Sequence, residues 1–242
     1  MAKYGLDLSG KTYWLVGASA GIGAALAIEL DNRGANLVVS ARSVERLGDV
    51  AACLSNPSRI LPIDVTESES VECATRDLGH IDGVVYIAGE YTPMSVEDWN
   101  CETAIAISEV NYTGALRVLS RISRQFSDRN SGHIVVIGSL AGFAGLPGAI
   151  GYGASKAAVM HLAENMRADL KGTGVKVQVA NPGFVKTRLT DKNDFKMPFI
   201  QTPETAAKTI ANHMQSSRFS KSFPGTFSWF FKFLAIGRIL RA

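Results

Sequence analysis

Short apolar runs alternate with longer amphipathic segments along this chain of 242 residues. Tyr13-Trp14-Leu15-Val16 reads as a buried strand, and Ile22 to Arg33 as a helix stopped near Gly34. Leu37-Val38-Val39 predicts a second strand, and Ser43 a cap for a helix reaching about Leu54. Ile60-Leu61 is a brief third strand, followed by Thr66-Glu67-Ser68-Glu69, which has the spacing of a capping box opening a helix to Leu78. Gly83 to Ile87 predicts a fourth strand, Glu102 to Phe126 one long helix, and His133 to Ile137 a fifth strand. Tyr152 to Leu170 reads as a helix, Val175 to Ala180 as a sixth strand, and Thr202-Pro203-Glu204 as the start of a helix running to about Met214. Strand and helix in strict alternation predict an α/β fold of one domain: a Rossmann-like, doubly wound parallel sheet in three α/β/α layers. Residues 1–222 make up that domain, including a variable loop at about 184–201. Residues 223–242 form a separate apolar and basic tail.

Composition narrows the function. The chain is 46% hydrophobic and 19% charged, with net charge +3. No dense Lys/Arg run points to nucleic acid as a partner. Cys53, Cys73 and Cys101 are odd in number and widely spaced, and the four histidines do not cluster with them. That usage excludes a disulfide scaffold and a metal site and fits a cytoplasmic protein. No stretch reaches the roughly 18 apolar residues of a membrane span. The tail from Phe223 carries Phe227, Trp229, Phe230, Phe231 and Phe233 among Lys232, Arg238 and Arg241. It has two readings, a peripheral membrane contact or substrate lid, and a helix docked on the body or on a second subunit. Its nearly all-round apolar character favours the second.

Two places carry chemistry. Gly17-Ala18-Ser19-Ala20-Gly21-Ile22-Gly23 lies between the first strand and the first helix. Glycines there allow a tight turn and close backbone approach to a pyrophosphate, which the helix N-terminus attracts. At the end of the second strand stands Ser40-Ala41-Arg42-Ser43. An NAD site would place a carboxylate there for the ribose 2′-hydroxyl. The missing acid, together with Arg42 as a partner for a 2′-phosphate, favours NADP. Asp64, ahead of Val65, is suited equally to accepting from an adenine amino group and to capping its own turn. The second place is Tyr152-Gly153-Ala154-Ser155-Lys156, where phenol and ammonium share one helix face. A cation beside a phenol favours the phenolate and readies the group for proton transfer.

These residues, with Ala88-Gly89, Asn111, Ser139 and Asn181-Pro182-Gly183 to Thr187 in the same order, resemble the short-chain dehydrogenase/reductases over roughly residues 8–215. The resemblance implies an oxidoreductase that moves a hydride between NADP(H) and a small-molecule carbonyl/alcohol pair. Tyr152 would be its general acid or base, Lys156 the group that tunes Tyr152 and holds the nicotinamide ribose, and Ser139 the holder of the substrate oxygen. Asn111 would hold a water linking Lys156 to solvent. Gly17, Ser19, Gly21, Ile22 and Gly23 would line the pyrophosphate site, and Asp64 and Val65 would meet adenine. Ala88 and Gly89 would face the adenosine ribose, and Pro182, Gly183, Val185 and Thr187 the nicotinamide end. A homodimer or homotetramer is also implied. One departure is visible: Tyr86-Ile87 stands where the family carries Asn-Asn, which leaves a non-catalytic NADP(H)-binding sensor or scaffold as the rival reading. Phe184, Leu189, Phe195, Met197, Phe199 and Ile200 in the variable loop suit a hydrophobic substrate or pack the loop on the body. Lys186, Arg188, Lys192 and Lys196 suit an anionic one.

Overall fold

The computed structural model describes residues 6–225. Seven parallel strands form one sheet in the order β3-β2-β1-β4-β5-β6-β7. They are β1 (Thr12–Val16), β2 (Asn36–Ser40), β3 (Ser58–Ile60), β4 (Gly83–Tyr86), β5 (Gly132–Ile137), β6 (Val175–Pro182) and β7 (Ser220–Phe223). The helices are α1 (Gly21–Asp31), α2 (Val44–Ala51), α3 (Ser68–Asp77), α4 (Cys101–Ser108), α5 (Gly114–Asp128), α6 (Ile150–Asp169) and α7 (Pro203–Met214).

The central strands are buried on both faces, so they read as continuous apolar runs. Alternate residues feed two cores. Trp14, Val16, Val84, Ile134 and Val136 pack with residues of α3, α5 and α6. Tyr13, Leu15, Val39, Val85 and Val135 pack with residues of α1, α2 and α7. This is the expected doubly wound, three-layer α/β/α sheet. The order reverses between β1 and β4, and a crevice opens there at the carboxyl ends of the strands.

Four local features differ from the expectation. The strand β7 was not foreseen: Ser220-Lys221-Ser222-Phe223 is short, and its place on the sheet comes from pairing with Val179–Pro182. Strand β3 begins at Ser58 and ends at Ile60, since its pairing with Leu37–Val39 sets the register. The capping box at Thr66 does not form. Thr66 donates its N–H and hydroxyl to Asp64 Oδ1, at 3.0 and 2.7 Å, and the α3 N-cap is Glu67 without a side-chain bond. The long helix of 102–126 is interrupted by a π-turn over Glu109–Thr113, between α4 and α5. By contrast, Ser43 and Thr202 cap α2 and α7 through the N–H groups of Arg46 and Thr205. Beyond Gly225 the tail lies outside the described residues, and among those described no helix is long and apolar enough to cross a membrane.

Candidate active site

A cleft of about 420 Å³ follows the carboxyl edge of the sheet. One end is built by the turn from β1 into α1. Gly17 has φ +103°, and a Cβ there would stand 2.5 Å from the Ala88 nitrogen. A Cβ on Gly23 would stand 2.0 Å from the Gly17 carbonyl oxygen. Gly21, with φ +55°, opens α1, and its Cβ would meet the Thr187 methyl at 3.0 Å. The Ala20 N-cap offers no side chain to the first turn of α1. Those N–H groups therefore face the cleft with the positive end of the helix dipole, which suits an anion. A close-packed backbone cradle under an uncapped helix start fits the pyrophosphate of a dinucleotide.

Gly17, Ser19, Gly21, Ile22, Gly23, Arg42, Asp64, Val65, Ala88, Gly89, Pro182 and Thr187 all line this cleft, as do Tyr152 and Lys156. Arg46, one turn along from Arg42, lines it as well and was not singled out from the sequence. The signal was there: Arg42 and Arg46 share the spacing of one helical turn at a strand-to-helix corner. Neither guanidinium is in a salt bridge among the described residues. Asp64 spends Oδ1 on its own turn, through Thr66, while still lining the cleft, so both readings of that residue have a geometric basis. Two expected cofactor residues do not line the cleft. Val185 is buried in the core beneath, and the Gly183 N–H is taken by the Phe223 carbonyl of β7. The unforeseen strand therefore claims a group that the resemblance assigned to the nicotinamide end.

At the other end, β5 delivers Ser139 just past its last residue and α6 delivers Tyr152 in its first turn. Ser139 is buried behind the cleft lining, accepts from the Ala141 N–H at 3.1 Å, and lies near enough to the Tyr152 hydroxyl to act against the rise in its pKa. Lys156 is buried one turn behind Tyr152 and donates to the Ile137 carbonyl at 2.9 Å. Its ammonium stands 5.8 Å from the Tyr152 ring centroid. Burial pushes this ammonium down to about 8. The Tyr152 hydroxyl is pushed up, mainly by burial, against the opposing hydrogen bond from Ser139. The sequence argument expected Lys156 to lower the Tyr152 pKa; at this separation Lys156 is not among the causes of the shift, and burial sets its direction. The Tyr152 phenol is thus protonated across neutral pH.

Asn111 sits in the π-turn, fully buried and outside the cleft lining. Its Oδ1 accepts from the Glu90 N–H at 2.7 Å. Its Nδ2 donates to the Glu90 carbonyl at 3.0 Å and to Ser155 Oγ at 2.9 Å. Gly89 lies between the two groups: a Cβ there would make ordinary contacts of 3.5 Å with Asn111 Oδ1 and 3.6 Å with Lys156 Nζ. Glu90 carries the connection outward. Lys192 donates to its carboxylate at 2.9 Å and to the Tyr91 carbonyl at 2.6 Å. The Tyr91 hydroxyl donates to Asn193 at 2.7 Å, and its ring meets Tyr152 edge-on at 4.9 Å. These contacts hold the 184–201 loop beside Tyr152, a role of Glu90, Tyr91 and Lys192 that no local pattern announced. In the same loop Phe184 packs edge-on against Phe195, while Phe199 and Ile200 remain exposed. Both the packing and the apolar-surface readings of the loop thus have residues on their side. Among the described residues no three His, Cys, Asp or Glu converge as a metal site.

Comparison with known proteins agrees with this arrangement. The family model described as short chain dehydrogenase matches residues 11–197. An uncharacterized oxidoreductase of Myxococcus xanthus is 34% identical over 225 residues, which is 90% of this chain and 89% of that one. One of Staphylococcus epidermidis is 35% identical over 185 residues, covering 75% and 80% of the two chains. A short chain dehydrogenase of Burkholderia cenocepacia, solved in complex with NADP, superposes with a TM-score of 0.84 at 25% identity, covering 97% of each chain. A short-chain dehydrogenase of Sphingobium yanoikuyae, solved in complex with NADPH, gives 0.82 at 25% identity over 95% of this chain and 94% of that one. A glycine cradle under a bare helix start, a Tyr–Lys pair in the first turns of α6 and these matches have one common explanation: the chain is an oxidoreductase of the short-chain dehydrogenase/reductase family.

Proposed function

We propose that this protein is an NADP(H)-dependent enzyme that interconverts a carbonyl and an alcohol, on a hydrophobic small molecule. The observation that carries the reading is the Tyr152–Lys156 pair at one end of a cleft, with Ser139 buried beside Tyr152, and an uncapped helix start with Arg42 and Arg46 nearby at the other end. When bound, the nicotinamide supplies or accepts the hydride. The chain's own residues do the rest. Ser139 and Tyr152 place two hydroxyls where a substrate oxygen is held and polarised. In reduction, Tyr152 gives its proton to that oxygen as negative charge develops, and Ser139 stabilises the charge by hydrogen bonding. Lys156 keeps a positive charge behind the phenol below about pH 8 and favours the phenolate left after transfer. Asn111, fixed between Glu90 and Ser155, would support the pair from behind.

Arg42 and Arg46 support the choice of NADP(H), since a 2′-phosphate is the ligand chemistry that two guanidiniums in the cleft wall, neither in a salt bridge among the described residues, select. Replacing either by Ala is expected to raise KM for NADPH by about 10- to 100-fold, the loss of one charge-assisted contact. KM for NADH should change little. Steady-state kinetics with both cofactors checks this, and equal losses for the two would defeat the assignment. The reading as a whole is tested by following NADPH and NADH absorbance across a panel of aromatic and long-chain ketones and aldehydes. No oxidation of either cofactor would favour the sensor or scaffold reading. Two accompanying expectations belong to the same proposal. Cys53, Cys73 and Cys101 are free and exposed, which suits the cytoplasm. Trp99 and Ile105, exposed around α4, suit contact with a second copy in a homodimer or homotetramer.

A further inference from the structure

The π-turn that carries Asn111 leaves a carbonyl without its usual partner. The Gly114 N–H bonds to the Glu109 carbonyl, five residues back. In an unbroken α-helix it would bond to Val110, four back. The Val110 carbonyl instead accepts from the Tyr86 hydroxyl at 2.6 Å. Tyr86 ends β4, is 1% exposed, and crosses from the sheet to reach the helix. Gly114 makes the reach possible, because a Cβ there would stand 2.6 Å from the Tyr86 oxygen and 2.8 Å from a Val65 methyl. A buried carbonyl left without a donor costs free energy, so the Tyr86 hydroxyl stabilises the π-turn over a straight helix. Straightening the helix by one residue would swing Asn111 about 100° around its axis. It would then lose Glu90 and Ser155, the partners that hold it behind Lys156.

We propose that Tyr86 is a positioning residue, whose hydroxyl holds the Val110 carbonyl and so keeps Asn111 in register with the catalytic pair. This rests on the carbonyl–alcohol reading above. It also gives a purpose to the departure at Tyr86: an aromatic hydroxyl reaches from the strand end to the helix, so that position still serves the site with a longer arm.

Tyr86→Phe removes the oxygen and keeps the ring. The variant is tested with NADPH and the carbonyl compound turned over fastest in the panel, alongside hydrogen exchange of the 109–114 segment. We expect kcat to fall about 10-fold, with KM for NADPH within about 2-fold of the parent, from the loss of one buried hydrogen bond. Exchange should quicken at 109–114 and stay unchanged in β1 and β5. Because Tyr86 acts through Asn111, adding Tyr86→Phe to Asn111→Ala should cost no further activity. Parent-like kcat overturns the proposal, as does a loss that multiplies fully with that of Asn111→Ala. A variant that fails to fold, or whose exchange quickens throughout, makes Tyr86 merely structural and overturns it too. No turnover by the parent protein would instead sink the carbonyl–alcohol reading, and the exchange measurement alone would then decide whether Tyr86 holds the π-turn.

Discussion

Tyr152→Phe is expected to cut turnover by about 10²- to 10⁴-fold, the range supplied by one positioned general acid or base. The ring stays in place, since its edge-on contact with Tyr91 at 4.9 Å does not use the hydroxyl. Lys156 keeps its bond to the Ile137 carbonyl. The cradle around Gly17, Gly21 and Gly23 lies at the other end of the cleft and is untouched. Cofactor affinity should therefore stay within about 10-fold, the worth of a single hydrogen bond. Fluorescence titration with NADPH and single-turnover kinetics separate the two effects. Turnover within a few-fold of the parent would remove Tyr152 as proton donor. Because burial raises its pKa, the phenol is protonated throughout the neutral range. Reduction should accordingly be insensitive to pH there and slow above about pH 8, where Lys156 loses its charge.

Lys156→Met is expected to separate stability from activity. An ammonium whose pKa is lowered from 10.5 to about 8 costs the fold free energy while it is charged. The shift corresponds to about 3 kcal/mol. Against that, the variant leaves the Ile137 carbonyl without its donor, a loss of about 1–3 kcal/mol. A modest net gain remains, seen as a melting temperature a few degrees higher at pH 7. The sign with pH follows from proton counting. Between about pH 8 and 10.5 the unfolded chain binds the proton that the folded chain has released, so the parent gains stability as pH rises. The advantage of the variant is thus full below pH 8 and gone near pH 10.5. Lys176 is also lowered to about 8 by burial, so the difference between the two proteins, rather than the parent curve alone, reports on Lys156. Turnover should fall at least about 100-fold. Melting curves at pH 7 and pH 10 test the claim, and a variant less stable than its parent at pH 7 would show that the buried charge costs less than the bond it makes.

Tyr91, Glu90 and Lys192 explain why parts of the site escaped the sequence. Glu90 and Lys192 lie 102 positions apart, and their ion pair exists only because the β4 end and the loop after β6 meet over one crevice. The same holds for Tyr86 and Val110, 24 positions apart, joined by a hydrogen bond that no periodicity signals. The π-turn itself was invisible, because one extra residue in a helical turn leaves the apolar pattern of Glu102 to Phe126 almost unchanged. In β7, Ser220-Lys221-Ser222-Phe223 has too little apolar character to read as a strand, and only the free edge of β6 makes it one.

What the chain announced by itself was everything governed by local order: the alternation of buried runs and amphipathic helices, the glycine turn before α1, the arginine after β2, and the Tyr–Lys spacing on α6. Helical and strand periods place such residues on a common face or at a strand end before any folding is known. What only the tertiary structure decided was the balance of forces between groups distant in sequence. Burial sets the direction of the Tyr152 shift, the loop is pinned through Glu90, and Gly183 gives its N–H to β7. Desolvation and hydrogen-bond partnership depend on what surrounds a group in space, and sequence spacing records only what adjoins it along the chain.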